Sequence, residues 1–88
     1  MNSLLDLAPA LSPMYRLQYE TAQRSWVLLY PEGMVRLNEP AAEILQRFDG
    51  TRYVRQVVTA LQESFGEADL SKDVCEFVSE AYERGWIT

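Results

Sequence analysis

From Tyr15 to Glu20 the chain alternates. Tyr15, Leu17 and Tyr19 fall on one side, and Arg16, Gln18 and Glu20 on the other. A period of two marks a strand with one buried and one wet face. Trp26 to Tyr30 has no polar position at all, which suits a strand covered on both faces, the middle one of three. Met34 to Leu37 alternates again, with Arg36 interrupting the apolar run. A charge of that kind on an edge strand discourages stray pairing. From Tyr53 the period lengthens. Val54, Val57, Val58, Leu61 and Phe65 recur at steps of three and four, which predicts an amphipathic helix over 53–65. Val74, Phe77, Val78, Ala81 and Tyr82 form the stripe of another, and Ala41, Ala42, Ile44, Leu45 and Phe48 lie along a shorter one between sheet and second helix.

Turn and cap residues punctuate these runs. Tyr30-Pro31-Glu32-Gly33 reads as a hairpin connection, a type I turn closed by a left-handed glycine bulge. Asn38 is placed to cap the first helix, and Pro40 is tolerated in its first turn, where amide hydrogens have no partner anyway. Asp49-Gly50 ends that helix. Thr51 or Asp49 is expected to cap the second helix and Gly66 to end it; Ser71 is expected to cap the third and Gly85 to stop it. Trp86 and Ile87 then fold back as an apolar plug. Tyr53 opens the second helix where a Ser, Thr or Asp cap is easier to explain, so its phenol either covers the end of the sheet or touches a partner. Residues 1–14 carry Leu4, Leu5, Leu7 and Leu11 between Pro9 and Pro13. Two prolines forbid a continuous helix or a central strand there. Residues 1–8 are expected to be a loose lead-in, whose leucines otherwise pack on the domain or on a second copy. The whole, 1–88, reads as one domain of the α+β class: a three-stranded antiparallel sheet followed by three helices, winged-helix-like.

Composition narrows the function. Eighty-eight residues, nearly half of them apolar, support one modest core and no walled catalytic cavity. There is no histidine and one cysteine, Cys75. That removes Ser-His and Cys-His pairs, an internal disulfide and an imidazole metal site. No glycine-rich phosphate loop is present. No cofactor, metal or catalytic residue is therefore expected, and the chain reads as a non-enzyme. No apolar run is long enough to span a bilayer, and the start lacks the basic region and apolar core of a secretory signal; the lone cysteine suits a reducing, cytoplasmic setting. The net charge is −5. From Glu67 onward six acidic residues (Glu67, Asp69, Asp73, Glu76, Glu80, Glu83) face two basic ones, Lys72 and Arg84. Phosphate would repel such a helix, which argues against a nucleic-acid partner. Asp73, Glu76, Glu80 and Glu83 read as a solvated face rather than as acid–base groups. Arg47, Arg52 and Arg55 form a small basic cluster in sequence: a phosphate patch, a hold for a carboxylate-bearing peptide, or three ordinary surface arginines.

What remains is the edge at Met34, Val35, Arg36 and Leu37. An unpaired strand offers backbone donors and acceptors to an added peptide, each bond contributing about 1 kcal/mol net. Ala41, Leu45 and the stem of Arg47 would supply pockets beside it, while Ile44 and Phe48 sit at core spacing. Here the motif LLYPEGMVRLN, followed by AAEIL and FDG, with YRLQYE before it and GWI at the end, resembles the PqqD family of pyrroloquinoline quinone (PQQ) biosynthesis, part of the wider class of precursor-peptide recognition domains. The resemblance covers nearly all of the chain beyond Pro9, and Tyr19 stands where some relatives carry tryptophan. It implies a peptide chaperone that pairs the precursor peptide PqqA with the third strand, against the first helix, and presents it to the radical SAM enzyme PqqE, which cross-links a glutamate and a tyrosine of the peptide. The implied peptide-binding residues are Met34, Val35, Arg36, Leu37, Ala41, Leu45 and Arg47. Two other readings stand beside it: a self-associating or other interaction module, monomer or homodimer, and a winged-helix DNA binder, which the acidic last helix opposes.

Overall fold

The period-two segments pair as a meander. In the computed structural model, which describes residues 3–66 and 69–88, β1 (Arg16–Glu20), β2 (Ser25–Tyr30) and β3 (Gly33–Leu37) form an antiparallel sheet in the order β1-β2-β3. Leu28 lies between Leu17 on β1 and Val35 on β3, and Trp26 between Tyr19 and Leu37. Three helices follow: α1 (Glu39–Gln46), α2 (Val54–Phe65) and α3 (Ser71–Glu83). This is the α+β order expected from the sequence. Glu67, counted above with the acidic residues, lies outside the described residues, as do Met1 and Asn2. Among the described residues no helix is long and apolar enough to cross a membrane.

The two faces of the sheet do different work. Alternation sends Trp26, Leu28, Val35 and Leu37 to the helical side, where they join one core with Ala42, Ile44, Leu45, Val54, Val57, Leu61, Val78 and Ala81. Val27 is also fully buried, on the other side, flanked across the strands by Gln18 and Arg36. A middle strand that is apolar from Trp26 to Tyr30 is thus used on both faces. Near the end of the chain the backbone turns, and Trp86 and Ile87 close the core from below, both buried. The Trp86 ring lies 6.2 Å from that of Phe77, with the Arg84 guanidinium 5.5 Å over it.

Several caps differ from expectation in instructive ways. Asn38 caps α1 as read, its Oδ1 accepting from the Ala41 amide at 2.9 Å. Gly66 ends α2 in the left-handed conformation, φ 70°, a place only glycine takes without strain. The α2 cap, however, is Tyr53, not Thr51 or Asp49. The Gln56 side chain reaches back to accept from the Tyr53 amide at 2.8 Å, which supplies the reciprocal half of a capping box without a hydroxyl cap. Asp49 instead accepts from the amide and hydroxyl of Thr51 in a local turn. Ser71 is the first residue of α3 rather than its cap, and Asp69 accepts from its amide and hydroxyl. The hairpin is tighter than expected: Tyr30 pairs directly with Gly33 across Pro31 and Glu32, and Gly33 has φ 159°, close to extended and outside the left-handed region of a glycine bulge.

The lead-in is tied down from residue 4. Leu4–Asp6 is a short 3-10 turn capped by Ser3, and Leu4, Leu5, Leu7 and Leu11 are half-buried against the core. Leu7 accepts from the Val54 amide at 2.8 Å and Pro9 from the Gly50 amide at 2.9 Å. Ala10 exchanges two hydrogen bonds with Thr88, and the Ser12 amide donates to Trp86 at 2.8 Å. A segment that two prolines bar from helix and sheet is held by its leucines and by bonds from elsewhere in the chain.

Candidate functional site

Among the described residues β3 has a neighbour on one side only. In a hairpin closed by the Tyr30–Gly33 pair, bonded and non-bonded pairs alternate along the strands. Gly33, Val35 and Leu37 therefore direct their amide and carbonyl groups to β2, and Met34 and Arg36 direct theirs outward. The side chains divide the other way: Val35 and Leu37 turn toward the helices, while Met34, 47% exposed, and Arg36 stand on the far face. The Arg36 Nε is held there by Gln23 Oε1 at 3.1 Å.

Beside the end of this edge runs a groove of about 770 Å³. Its first wall is what the sequence suggested, the end of β3 and the start of α1, from Arg36 to Ala41 with Glu43 and Ile44. Its second wall is α3, through Asp73, Val74, Phe77 and Glu80, with Trp86 behind. The floor is apolar and buried: Leu37, Ala41, Ile44, Leu61, Val74 and Trp86. At one end Phe65, 57% exposed, stands with half-buried Leu70 and Phe77. Phe65 continues the α2 stripe by periodicity, yet at the last turn of its helix it has no core left to enter.

The expected site residues do not all meet here. Arg36, Leu37 and Ala41 line the groove, and Met34 and Val35 belong to the strand that leads into it. Leu45 is 2% exposed and packs in the core, away from the groove. Arg47 sits at the opposite end of α1, where its Nη1 meets Glu43 Oε2 at 2.7 Å and the Glu43 carbonyl oxygen at 2.8 Å. The arginine cluster is likewise dispersed into pairs. Arg55 bonds Asp6, with Nε at 3.2 Å, and Arg52 lowers the Asp49 carboxyl by its charge, a weaker cause there than the Thr51 hydrogen bonds. No shared anion site results. The residues missed by sequence reasoning are those of the α3 wall. Asp73, Phe77 and Glu80 stand at steps of four and three, on one helix face. The sequence assigns Phe77 to the apolar stripe of α3 and Asp73 and Glu80 to a solvated face, and no local signal joins the three as a wall.

Outward backbone groups, an apolar trough and a carboxylate rim suit an extended chain. Burial pushes the Cys75 thiol and the Tyr82 phenol up from their ordinary values, which makes neither more reactive. Among the described residues no three of Cys, Asp and Glu converge as a metal site.

Known proteins share both the sequence and the fold of this chain. Residues 25–87 match the family model described as Coenzyme PQQ synthesis protein D (PqqD). A protein of Azotobacter vinelandii named PqqA binding protein is 51% identical over 98% of this chain and 95% of its own length. A protein of the same name from Acinetobacter baylyi is 44% identical over 99% and 89%, and one from Klebsiella pneumoniae is 52% identical over 84% and 82%. In fold, the chain is similar to the solution NMR structure of the PqqD truncation of Methylobacterium extorquens PqqCD, described as a functional and stand-alone recognition element for ribosomally synthesised, post-translationally modified peptides. The TM-score is 0.80 at 23% identity, over 98% of this chain and 93% of that one.

Proposed function

This chain belongs to the PqqD family, and we propose that it binds the precursor peptide PqqA as an added strand on β3 and presents it to the radical SAM enzyme PqqE. It acts by binding and carries out no chemical step. The observation that carries this reading is the open side of β3 leading into the groove between α1 and α3. Met34 and Arg36 offer a peptide four outward backbone groups, each bond contributing about 1 kcal/mol net. Alternate peptide side chains then enter the trough over Leu37 and Ala41, against Val74 and Phe77. Leu45 lies in the core and Arg47 at the far end of α1, held by Glu43, and neither touches the peptide. The site we propose is thus Met34, Val35, Arg36, Leu37 and Ala41, with the α3 wall added.

The test is a titration with synthetic PqqA read by amide chemical shifts. Shifts are expected on Met34 to Leu37, on Ala41, and on Val74 and Phe77. Arg36→Pro is the decisive variant. Proline is tolerated on an edge strand where the lost N–H faces outward, so the sheet survives while one ladder bond and the approach of the peptide are lost. Its affinity should fall by at least about tenfold, and Arg36→Ala, which keeps the amide, should retain most of it. Equal affinity of Arg36→Pro and the parent sinks strand addition, and absence of shifts at saturating peptide sinks PqqA binding. Presentation is tested separately: PqqE should cross-link PqqA faster with this chain present than without it.

A second reading uses the same edge. An open β3 can pair with that of a twin, which predicts a sedimentation coefficient that rises with concentration and falls when PqqA is added.

A further inference from the structure

We infer that the groove selects a peptide segment in which lysine or arginine flanks an apolar pair. This deepens the reading above and rests on it for the identity of the natural ligand. The trough itself is apolar, through Leu37, Ala41, Ile44, Val74 and Trp86. The rim is not neutral. Among the described residues it carries four carboxylates, Glu39 and Glu43 from α1 and Asp73 and Glu80 from α3, against one guanidinium, Arg36. Arg36 projects to the opposite face of the sheet, where Gln23 holds it. Arg47 and Arg84, neither of which lines the groove, neutralise two of the four: Arg47 on Glu43 at 2.7 Å and Arg84 on Glu80 at 2.9 Å. Among the described residues Glu39 and Asp73 meet no cation, and they stand one on each wall.

A first-turn position accounts for a carboxylate at Glu39 and at Asp73 along their helices, because both lie at positive helix ends. It does not account for both lining the same groove. With Glu43 and Glu80 paired, Glu39 and Asp73 beside low-dielectric walls focus a negative potential into the trough. An anionic peptide is repelled there, and a neutral one gains only burial. A cation at either side of an apolar pair finds Glu39 or Asp73 without a partner to displace. This also sets the direction of the chain's electrostatics: the acidic last helix, unsuited to phosphate, is suited to a basic peptide.

The experiment uses three probes on the full chain: synthetic PqqA, and two short peptides with one alternating apolar core, flanked by lysines in one and by glutamates in the other. Binding is read by fluorescence anisotropy at about 0.01 M and about 1 M salt, where the screening length falls from about 30 Å to about 3 Å. The lysine peptide should bind about tenfold tighter at low salt, since two exposed pairs form in one case and two like-charge contacts in the other. The preference should vanish at high salt and in the Glu39→Gln/Asp73→Asn variant, whose fold is checked by circular dichroism. The ratio of the two affinities is independent of any stability the double variant loses. Equal binding, preference for the glutamate peptide, a preference that survives the double variant, or binding of neither peptide overturns the inference. Failure of PqqA to bind while the lysine preference stands overturns the proposed ligand and leaves the groove's selectivity intact.

Discussion

The carbonyl oxygen of Leu7 accepts the amide hydrogen of Val54 at 2.8 Å, so the lead-in satisfies the first amide of α2. Helix N-terminal amides have no partner within their own helix. α2 has no hydroxyl cap, and Leu7 and Gln56 between them fill the gap. Asp6 adds an ion pair to Arg55 on the same helix.

Removal of residues 1–8 is therefore expected to destabilise the domain. Leu4, Leu5 and Leu7 are half-buried on the core, and half-burial of a leucine contributes about 1 kcal/mol. The loss should be about 3 kcal/mol, a fall in Tm of more than about 10 °C in a domain of this size. Thermal unfolding followed by circular dichroism measures it. An unchanged Tm would mean that these leucines contribute nothing to the core.

Disruption of the Asn38 cap has a smaller and more local effect. Its Oδ1 bond to the Ala41 amide fixes the joint between β3 and α1, and a lost cap of this kind costs about 1 kcal/mol. Asn38→Ala should lower the urea midpoint accordingly, while Asn38→Asp, which keeps the acceptor, should hold it. PqqA affinity should fall with Asn38→Ala by more than stability alone dictates, because Asn38 and Ala41 both line the groove. Equal affinities of the two variants would show that the joint does not set the groove.

Asp69 holds the start of α3 through the amide and hydroxyl of Ser71, and those two bonds keep its carboxyl below its ordinary value of 3.8. The folded carboxyl is the stronger acid, so its contribution is present above about pH 4 and is lost as pH falls through the folded value. Asp69→Ala should thus be less stable than the parent at pH 7, and the two curves should converge in acid. Urea unfolding at pH 7 and pH 3 makes the comparison. A gap that is constant with pH would assign the effect to something other than the carboxylate.

The sheet, the three helices and most of the core were legible because each rests on a local period. Leu28, Val57, Leu61 and Val78 are buried where two- or three-to-four-residue spacing put them. What was not legible depends on long-range closure. The lead-in has no period, and only the arrival of Asp49, Val54 and Trp86 beside it gives it partners. Gly33 fits the expected hairpin by composition, but direct Tyr30–Gly33 pairing left no room for a bulge. The first wall of the groove was read from β3 and α1, which are neighbours in sequence. The second was not, since only the fold brings Asp73 and Phe77 across from Ala41. Leu45 is a similar case: the resemblance places it beside Ala41 as a pocket residue, and only the folded packing shows it turned into the core.

The strain at Arg24 offers a test that is independent of the groove. This residue has φ 52°, the left-handed region, and its amide closes the turn by donating to the Thr21 carbonyl oxygen at 3.2 Å. A side chain with a Cβ is disfavoured there by about 1–2 kcal/mol, and asparagine less so because it bonds locally. Arg24→Asn should raise stability by about 0.5–1 kcal/mol. Arg24→Gly should also relieve the backbone but gain less, since glycine frees the unfolded chain as well. Arg24→Val, β-branched, should lose at least about 1 kcal/mol. Urea unfolding of the four proteins gives the order. If valine matches arginine, the turn does not hold this conformation in solution. The register of β1 on β2, from Glu20 opposite Ser25 onward, would then need another cause.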